Sequence, residues 1–466
     1  MTTIYATAIG ENSKGTGRLW LQGEKLLRGQ FAPATTYRRA FKDGALIMIA
    51  DPNGQYVVSG RKKHDRVEPV IDVCNKDIEK HFPIGTKLNA VVRKGKIIIR
   101  RAINAVKKAQ RKNRLTRKVA AGAALSMVSV FHGIGLMDRA IHDGFAAEGV
   151  PVRASVVAEL ENSYLEASMR ANAKMFDEST VFFSGPVQDF ELGKVVHADI
   201  FCAGIPCTGA SLAGRSKLGT KSAEEHPDAG TMFFTTLEWI KKFNYPDLVV
   251  LENVKAYAST ISMSVIRLML GNWGYDIHEM TLKGHDFGAL ENRERMVVVA
   301  VQKDLAEEGF DPRSILPVET KPATIADSLE PIAEDDKRWD TYGYLVEKQE
   351  RDIAAGKGFR MAMLTPESES VPVLVRNYAK IQSTGAFLQH PTKPGYMRLF
   401  TEIEHGRFKG APEGFVESLG VSRTTAHQGL GQSVIYPVFK AVGSALGRFV
   451  QRLASQANHP QLTLVA

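Results

Sequence analysis

The sequence predicts an α/β protein built on a doubly wound, mostly parallel sheet with two smaller parts attached. The first observation is an alternation of apolar, strand-like runs with helical stretches that starts at residue 126. Such alternation is typical of a parallel sheet with helices on both faces. The second is that residues 303–395 break this rhythm and are rich in Pro, Asp, Glu and Gly. The third is that the first hundred residues are basic and contain one pattern twice.

These observations divide the chain into five predicted parts. The parts are a basic β-rich module with a two-fold internal repeat at 1–100, a basic linker helix at 101–125, a sheet core at 126–302, a smaller lobe at 303–395 and a return segment at 396–466. The return segment contains "GQSVIYPVFKAVGSALGRFVQRLASQA", which predicts a long amphipathic helix that packs back on the sheet.

The repeat in the module is visible when the segments that begin at Arg18 and Pro69 are aligned without gaps, so that Phe31 falls on Phe82. Each copy predicts a strand, a short helix, a strand, a turn and a last apolar strand. The copies resemble the swapped-hairpin barrels of small bacterial transition-state regulators and related antitoxins, a resemblance that would place the basic face on nucleic acid. The alternative is a small β domain that serves only packing or dimerisation.

Positive charge is concentrated in the first quarter of the chain. Residues 1–120 hold 26 Lys and Arg against 9 Asp and Glu, a net charge of +17, so the remaining residues carry −8 of the chain's +9. A basic segment on an acidic body indicates a part that binds a polyanion. The alternative is a solubilising extension.

Composition argues against several other classes of protein. No run of eighteen apolar residues predicts a membrane span, and "MTTIYATAIGENSKG" lacks the layout of a signal peptide. Cys74, Cys202 and Cys207 form neither a disulfide framework nor a zinc set, and the histidines are scattered. We therefore expect a cytoplasmic protein without a membrane segment or a metal site.

A glycine-rich turn and an acidic residue follow the first two predicted strands of the core. Phe131, Gly133 and Gly135 form a Phe-x-Gly-x-Gly turn between a strand and a helix. Glycines let the backbone approach a ligand, and a helix N-terminus offers free N–H groups. Glu159 ends the next strand, where an acid typically binds a ribose diol. The alternative is a solvated loop carboxylate.

Further chemistry-bearing residues follow the later strands. In "HADIFCAGIPCTGAS", Pro206 and Cys207 come where a buried strand should end, whereas Cys202 lies in the strand body and is expected in the core. Glu252 ends "PDLVVLENV". Arg293 and Arg295 alternate into a strand and so share one face of it. Two arginines beside a thiol suit an anionic substrate and lower the thiol pKa.

Read in order, these elements resemble the DNA (cytosine-5) methyltransferases. The order is Phe-x-Gly-x-Gly, Pro-Cys, Glu-Asn-Val, Arg-x-Arg, a variable lobe, "GYMRLFTEIEHGRFKGAPEGF" and "GQSVIYPV". The resemblance covers about residues 126–455 and implies a Rossmann-like methyltransferase sheet. It also implies that 303–395 is a target-recognition lobe and that 396–466 completes the catalytic core.

The resemblance implies a catalytic role for four residues. Cys207 would add as thiolate to carbon 6 of a cytosine swung out of its duplex. Glu252 would hold or protonate ring N3. Arg293 and Arg295 would contact the base carbonyl and a nearby phosphate and help to keep the thiol ionised.

The resemblance also implies S-adenosylmethionine as the methyl donor. Its binding residues would be Phe131, Gly133, Gly135, Glu159, Val187, Pro206, Gln432 and Ser433. The chain departs from the family pattern at Leu136, where a second glycine is usual, at Pro186 in place of an Asp, and at Gln432 in place of an Asn. Leu290-Glu291 likewise replaces the usual Pro-Gln.

Double-stranded DNA is the partner that the resemblance implies, with the protein a monomer on DNA, associated with the nucleoid. A cognate restriction nuclease is a candidate partner. Two alternatives remain open, namely modification of tRNA cytosine or transfer of a group other than methyl, and a DNA-binding regulator without turnover. A lobe of the size of 303–395 favours DNA over tRNA, because reading a groove requires that bulk.

Overall fold

The chain folds into two compact units, residues 1–113 (the N-terminal unit) and residues 114–466 (the C-terminal unit). The structure is a computed structural model, and it describes residues 2–63, 66–191, 196–206, 224–226, 230–305, 309–358 and 360–458. Of residues 103–110 and 457–458 it describes only the backbone. In the described part of the chain, no helix is both long and apolar enough to cross a lipid bilayer.

The N-terminal unit is a nine-stranded antiparallel sheet with two short helices. Its strands are β1 (Thr3–Glu11), β2 (Gly17–Gln22), β3 (Thr36–Lys42), β4 (Ala45–Ala50), β5 (Tyr56–Val57), β6 (Ser59–Lys63), β7 (Arg66–Cys74), β8 (Lys87–Arg93) and β9 (Lys96–Arg101). Its helices are α1 (Glu24–Arg28) and α2 (Lys76–His81). Across the sheet the strands lie in the order β5-β3-β4-β9-β8-β1-β2-β7-β6.

The same run of elements occurs twice in this unit. The succession strand, helix, strand, strand appears first as β2-α1-β3-β4 and again as β7-α2-β8-β9. Phe31 and Phe82 follow the two helices, and both lie in the core. The last two strands of each copy are joined through Gly44 and Gly95, whose φ angles of 70° and 68° favour glycine. The two copies share one apolar core, as their small size requires.

The C-terminal unit is built on a seven-stranded mixed sheet. Its strands are β10 (Leu125–Val130), β11 (Val152–Glu159), β12 (Val181–Ser184), β13 (Ile200–Gly204), β14 (Leu248–Val254), β15 (Tyr275–Lys283) and β16 (Glu294–Gln302). They lie in the order β12-β11-β10-β13-β14-β16-β15. The first five pair in parallel, and β16 is antiparallel to both of its neighbours. The carboxyl ends of β10, β11, β13 and β14 therefore meet at one edge.

Helices cover both faces of this sheet. They are α4 (Leu136–Ala147), α5 (Asn162–Ala171), α6 (Met232–Lys242), α7 (Ile261–Asn272), α10 (Phe415–Ser418), α11 (Arg423–Gln432) and α12 (Tyr436–Asn458). The unit also contains α8 (Gly343–Ala354) and α9 (Glu402–Phe408), and α3 (Ile103–Ala120) precedes the sheet. Short 3₁₀ helices lie at Ala173–Met175, Val187–Asp189, Lys255–Ser259, Gly284–Phe287, Pro312–Ser314 and Ala326–Ser328. Because β14 and β16 are buried on both faces, their sequences read as continuous apolar runs.

The long C-terminal helix packs tightly against α4. A Cβ atom at Gly144 would lie 2.2 Å from the carbonyl oxygen of Lys440, and one at Gly443 would lie 2.4 Å from that of Ile141. The two backbones can approach this closely only because glycine stands at both positions. This contact places the apolar face of α12 in the same core as α4 and β10.

The predicted lobe has a small core of its own within the C-terminal unit. It contains β17 (Ala362–Leu364), β18 (Ala386–Gln389) and α8, and β19 (Met397–Arg398) from the start of the predicted return segment completes its three-stranded sheet. Buried Leu345, Tyr378 and Phe387 form its centre, and Leu290 and Phe408 join it from the segments on either side.

The predicted linker at 101–125 is divided between the two units, since the boundary falls after residue 113 within α3. The second half of α3 is held by a buried ionic cluster. Arg114 lies 2.9 Å from Asp247, and Lys118 lies 2.5 Å from Asp199. His197 joins both carboxylates, and this trio has the compactness of a metal site. The two cations already pair with its carboxylates, so it serves to attach α3 to the sheet.

Candidate active site

The glycine-rich turn after β10 is open toward solvent on one side and closely packed on the other. Gly133 and Gly135 have φ angles of 58° and 75°. Among the described residues nothing lies within 4 Å of a Cβ atom placed on Gly133. A Cβ on Gly135 would lie 2.5 Å from side-chain atoms of His132, Ser168 and Asn172. Gly133 therefore leaves room for a ligand, whereas Gly135 permits close packing beneath the turn.

Glu159, at the end of β11, is held at the rim of this turn. One carboxylate oxygen accepts a hydrogen bond of 2.6 Å from the Gly133 N–H, and the other accepts one of 2.9 Å from the Glu161 N–H. Phe131 begins the same turn with a left-handed φ of 58°. The structure thus brings together Phe131, Gly133, Gly135 and Glu159, which the sequence analysis assigned to one site.

A buried polar network beneath the turn was missed by the sequence analysis. His132 Nδ1 lies 2.8 Å from Ser129 Oγ and 3.0 Å from a carboxylate oxygen of Asp138. His132 Nε2 lies 2.7 Å from Ser168 Oγ. All four residues are buried. The available signal was a serine inside the apolar strand "MVSV" and an aspartate on the buried side of α4.

Val187 and Pro186 lie in the turn after β12. Pro186 caps the 3₁₀ helix that begins at Val187, and the Val187 carbonyl accepts a hydrogen bond of 3.0 Å from the Trp239 indole. The preceding Gly185 N–H donates to the carbonyl of Glu159 at 3.0 Å. This turn is thereby fixed to the strand end that carries Glu159.

Gln432 and Ser433 lie at the end of α11. The Gln432 side chain accepts a hydrogen bond of 3.2 Å from Tyr164 on α5, and the Ser433 hydroxyl donates to the carbonyl of Gly429. Leu136 is 1% exposed and belongs to the core, so the leucine that replaces the usual glycine does not fill the turn.

Glu252 and Arg295 form the ion pair at the end of β14. Arg295 Nε lies 3.0 Å from Glu252 Oε1, across the antiparallel pairing of β14 with β16. Burial raises the pKa of Glu252, although Arg295 and Arg293 act in the opposite direction. A carboxyl group with a raised pKa can carry a proton to a substrate.

Arg293 lies deeper than Arg295 and is held by other elements. It precedes the first residue of β16 and is 4% exposed. Its guanidinium donates to the carbonyl of Gly431 at 3.2 Å and lies 3.5 Å from the Glu291 carboxylate. The C-terminal end of α11, which carries Gln432, therefore also contacts Arg293.

The chain segment that leads to Cys207 is fixed beside Glu252. Gly204 pairs with Glu252 across β13 and β14, and a Cβ atom at Gly204 would lie 3.6 Å from Glu252 Oε2. The side-chain amide of Asn253 donates to the carbonyl of Ile205 at 3.1 Å. Pro206 is the last described residue of this segment, and Cys207 lies outside the described residues.

A second buried ion pair lies behind Arg293. Lys409 Nζ is 2.9 Å from the Glu291 carboxylate, and both residues are fully buried. Burial lowers the pKa of Lys409 to about 7, although the Glu291 carboxylate acts in the opposite direction. His405 lies 3.8 Å from the same carboxylate and 3.1 Å from His427.

Comparisons with known proteins identify the family of this chain. The family model of the C-5 cytosine-specific DNA methylases matches residues 125–448. The type II methyltransferase M1.ScrFI of Lactococcus lactis subsp. cremoris is 29% identical over 270 residues, which are 56% of this chain and 65% of that protein. The type II methyltransferase M.NlaX of Neisseria lactamica is 29% identical over 328 residues, 69% of this chain and 95% of that protein.

A solved structure shows the same fold. The S. pombe Dnmt2 methyltransferase matches with a TM-score of 0.55 at 18% sequence identity, over 71% of this chain and 99% of that one. The matched residues 125–448 include the glycine-rich turn, the Glu252–Arg295 pair and the return segment as far as residue 448. The chain therefore belongs to the C-5 cytosine-specific DNA methylases, a family of DNA (cytosine-5-)-methyltransferases.

Proposed function

We propose that this chain transfers a methyl group from S-adenosylmethionine to carbon 5 of a cytosine flipped out of a specific duplex DNA sequence. The observation that carries the proposal is the Glu252–Arg295 pair, which lies at the same sheet edge as the segment ending at Pro206. The pair lies at the end of β14. In the sheet β14 is next to β13, the strand that precedes Cys207, and β13 is next to β10, which leads into the glycine-rich turn.

The reaction needs a nucleophile because carbon 5 of cytosine is itself unreactive. The Cys207 thiolate adds to carbon 6, and the ring electrons then make carbon 5 nucleophilic. Carbon 5 takes the methyl group, a base removes the proton from carbon 5, and the thiolate leaves carbon 6. The products are 5-methylcytosine, S-adenosylhomocysteine and a proton, so atoms and charge balance.

Glu252 and the two arginines stabilise the charge that this addition creates. Addition at carbon 6 places negative charge on N3 and the carbonyl oxygen, and the Glu252 carboxyl group, whose pKa is raised by burial, would donate a proton to N3. Arg295 shares the Glu252 carboxylate and orients it. Arg293, anchored to the carbonyl of Gly431, would supply positive charge for the carbonyl or a phosphate.

The residues around the glycine-rich turn fit a nucleoside-bearing donor. Gly133 leaves open space, and Glu159 presents a carboxylate at the rim for a ribose diol. Leu136 remains in the core, so this departure does not obstruct the turn. When bound, S-adenosylmethionine supplies an electrophilic methyl group on a sulfonium.

The substrate base must leave the duplex, because carbon 6 is inaccessible inside the base stack. We assign reading of the target sequence to the lobe at 303–395, which has its own core and so can hold a recognition surface rigid. We further propose that the protein acts as a monomer on DNA in the cytoplasm, associated with the nucleoid, and that a cognate restriction nuclease is its candidate partner.

A trapping experiment tests the covalent step. Duplex DNA with 5-fluorocytosine at the target should form a stable complex with the full chain and S-adenosylmethionine, because fluorine cannot leave as a proton does. Denaturing gel electrophoresis and peptide mass spectrometry should locate the adduct at Cys207. A matched tRNA substrate should give no adduct, and an adduct on tRNA alone, or at another residue, would contradict the proposal.

Replacing Glu252 with Gln should lower kcat/KM by about 10²–10⁴-fold, the usual contribution of a positioned proton donor. Since its pKa is raised, Glu252 keeps its proton above the ordinary value of 4.5 and loses it as pH rises through the folded-state pKa. The wild-type rate should therefore fall on the alkaline side of that pKa. Rate–pH profiles of the two proteins should differ by the loss of this limb in Glu252→Gln.

Glu294→Gln is the matched control for this prediction. Glu294 is a partly exposed neighbour whose carboxylate lies 3.1 Å from Lys255, and only its backbone carbonyl, which the substitution leaves unchanged, contacts Arg295. Its substitution should leave both rate and pH profile within about twofold of wild type, since exposed ion pairs contribute little. An unchanged alkaline limb in Glu252→Gln would remove Glu252 from the proton-donating role.

A further inference from the structure

One face of the sheet in the N-terminal unit carries an unusual set of cations, which we call the basic face. It is defined by six exposed residues on β3, β8 and β9: Arg38, Lys42, Lys87, Arg93, Lys96 and Arg100. The strands β3, β4, β8 and β9 contain no Asp or Glu. The face therefore spans four adjacent strands, three of which carry cations and none of which carries an acid.

Strand register places these side chains on the same side of the sheet. Lys96 lies directly opposite both Arg93 on β8 and Ile49 on β4. In the same way, Arg100 on β9 lies opposite Asn89 on β8 and Ala45 on β4. Directly paired residues of neighbouring strands project to the same face.

The residues between them point the other way, into the core of the unit. Leu46, Met48, Ile97 and Ile99 alternate with the positions of the basic face, and all four are fully buried. The basic face is therefore the solvent side of a sheet whose other side is the core.

Most of these cations lack an acidic partner. Arg38 lies 3.4 Å from Asp51. In the described part of the chain, Lys42, Lys87, Arg93, Lys96 and Arg100 make neither an ion pair nor a side-chain hydrogen bond. Their charge is thus available to an external anion.

The cations form two rows that run across the strands, one of Arg38, Lys96 and Arg93 and the other of Lys42, Arg100 and Lys87. Arg38 and Lys42 on β3, like Lys96 and Arg100 on β9, are four residues apart, which is about 13 Å along a strand. This distance is close to the width of the DNA major groove, about 12 Å. Each row of cations can therefore reach the phosphates of one of the two DNA strands that border the groove. Between the rows lies a line of small and aliphatic residues that includes Ile47, Ile98 and Val91.

The composition of the face favours a duplex over other occupants. A second copy of the same face would bring like charges together. Single-stranded nucleic acid is usually bound by stacking bases on aromatic rings, and the line between the rows is aliphatic. The two phosphate backbones of a duplex match two rows of positive charge.

We propose that the basic face binds the phosphate backbones of duplex DNA independently of sequence, as a second DNA contact separate from the active site. The family to which the chain belongs acts on DNA, and the matched family region begins at residue 125, beyond this unit. Substitutions on the basic face should therefore change binding and its salt dependence while they leave the rate of methyl transfer at saturating DNA unchanged.

The test compares two triple variants of the full chain. The first, Arg93→Gln/Lys96→Gln/Arg100→Gln, removes three charges from the basic face. The control removes three exposed charges from α1 and α2, whose buried Leu26 and Ile78 lie in the core: Arg28→Gln, Lys76→Gln and Lys80→Gln. Both variants lose the same net charge, so general electrostatics affects them equally.

Binding to a 30-base-pair duplex without target sites should be measured by fluorescence anisotropy across a salt series. The face variant should bind about tenfold or more weakly at 0.1 M salt, and the slope of log K against log[salt] should fall by up to about 2.7, or 0.9 per lost phosphate contact. The control variant should match wild type in both its affinity and its salt slope.

An equal loss of DNA affinity in both variants would overturn the proposal that the basic face binds DNA, since net charge alone would then explain binding. Unchanged DNA binding in the face variant, with lost binding to phosphatidylglycerol vesicles or to single strands instead, would also overturn it. Methyl transfer at saturating DNA, measured in parallel, separates this proposal from that of the active site, and thermal melting verifies that both variants fold.

Discussion

Substituting Cys207 with Ala is expected to lower methylation of duplex DNA by about 10⁴-fold or more, since loss of a covalent nucleophile has effects of this size in other enzymes. Without the thiolate, carbon 5 of the base stays unreactive whatever Glu252 and the arginines contribute. Transfer of labelled methyl from S-adenosylmethionine to target DNA measures the effect. Binding of the duplex should persist, because the basic face and the lobe are unaltered.

The other two cysteines provide matched controls. Cys202 is fully buried in β13, and burial raises the pKa of its thiol well above the ordinary value, so it cannot act as a thiolate nucleophile. Cys74 is exposed in the N-terminal unit, where its sulfur accepts a hydrogen bond from Asn12. Cys202→Ala and Cys74→Ala should retain activity. Labelling that persists in Cys207→Ala, or vanishes in Cys202→Ala with the fold intact, would refute the role of Cys207.

Below pH 7, where the Lys409 amine is protonated, Lys409→Met is expected to lower the free energy of unfolding by about 3–5 kcal/mol, because it leaves the buried Glu291 carboxylate without its principal cation. Glu291→Gln/Lys409→Met, which removes both charges, should recover most of this loss. Chemical denaturation of the two single variants and the double variant gives the coupling energy of the pair. Additive effects would show that the two side chains do not stabilise each other.

This pair should also make stability depend on pH. The pKa of Lys409 is lowered to about 7 in the folded state against an ordinary value of 10.5. Between these values the unfolded chain holds a proton that the folded chain has released, so stability should rise with pH over this window. The rise should be absent in Lys409→Met.

Arg398→Met is the matched control for both effects. Arg398 and Glu404 form another fully buried ion pair in the C-terminal unit, 2.7 Å apart. Arg398→Met should lower the free energy of unfolding by an amount similar to that for Lys409→Met. Because an arginine does not release its proton in this range, the rise of stability between pH 7 and 10.5 should remain in Arg398→Met. A rise that also disappears there would assign it to another group.

The strands of the C-terminal unit were predictable because the local pattern of apolar residues determines them. Runs such as "PDLVVLENV" and "RMVVVAV" are apolar throughout, as strands buried on both faces must be, and the structure places β14 and β16 there. The α/β class predicted from the alternation of strands and helices is confirmed, as are the family and the activity predicted from the order of the motifs. Cys207 stays a prediction, since it lies outside the described residues.

Contacts between distant residues were not predictable from pattern. Glu291 and Lys409 are 118 positions apart, and neither has a neighbour in sequence that marks it as buried. The sequence gives no sign that His132, in the turn after β10, lies 2.7 Å from Ser168 on α5. Such pairs form only when separate elements pack together.

The sequence by itself determined the order of strands and motifs, and it predicted that the candidate site residues lie together, because in parallel strands joined through helices the carboxyl ends lie at one edge. It also determined that positive charge belongs to the first unit. Only the tertiary structure decided that Arg295 pairs with Glu252 while Arg293 is anchored to Gly431, and that six cations share one side of a sheet. The physical reason is that strand alternation and motif order are local, whereas burial, ion pairing and cross-strand register depend on residues far apart in the chain.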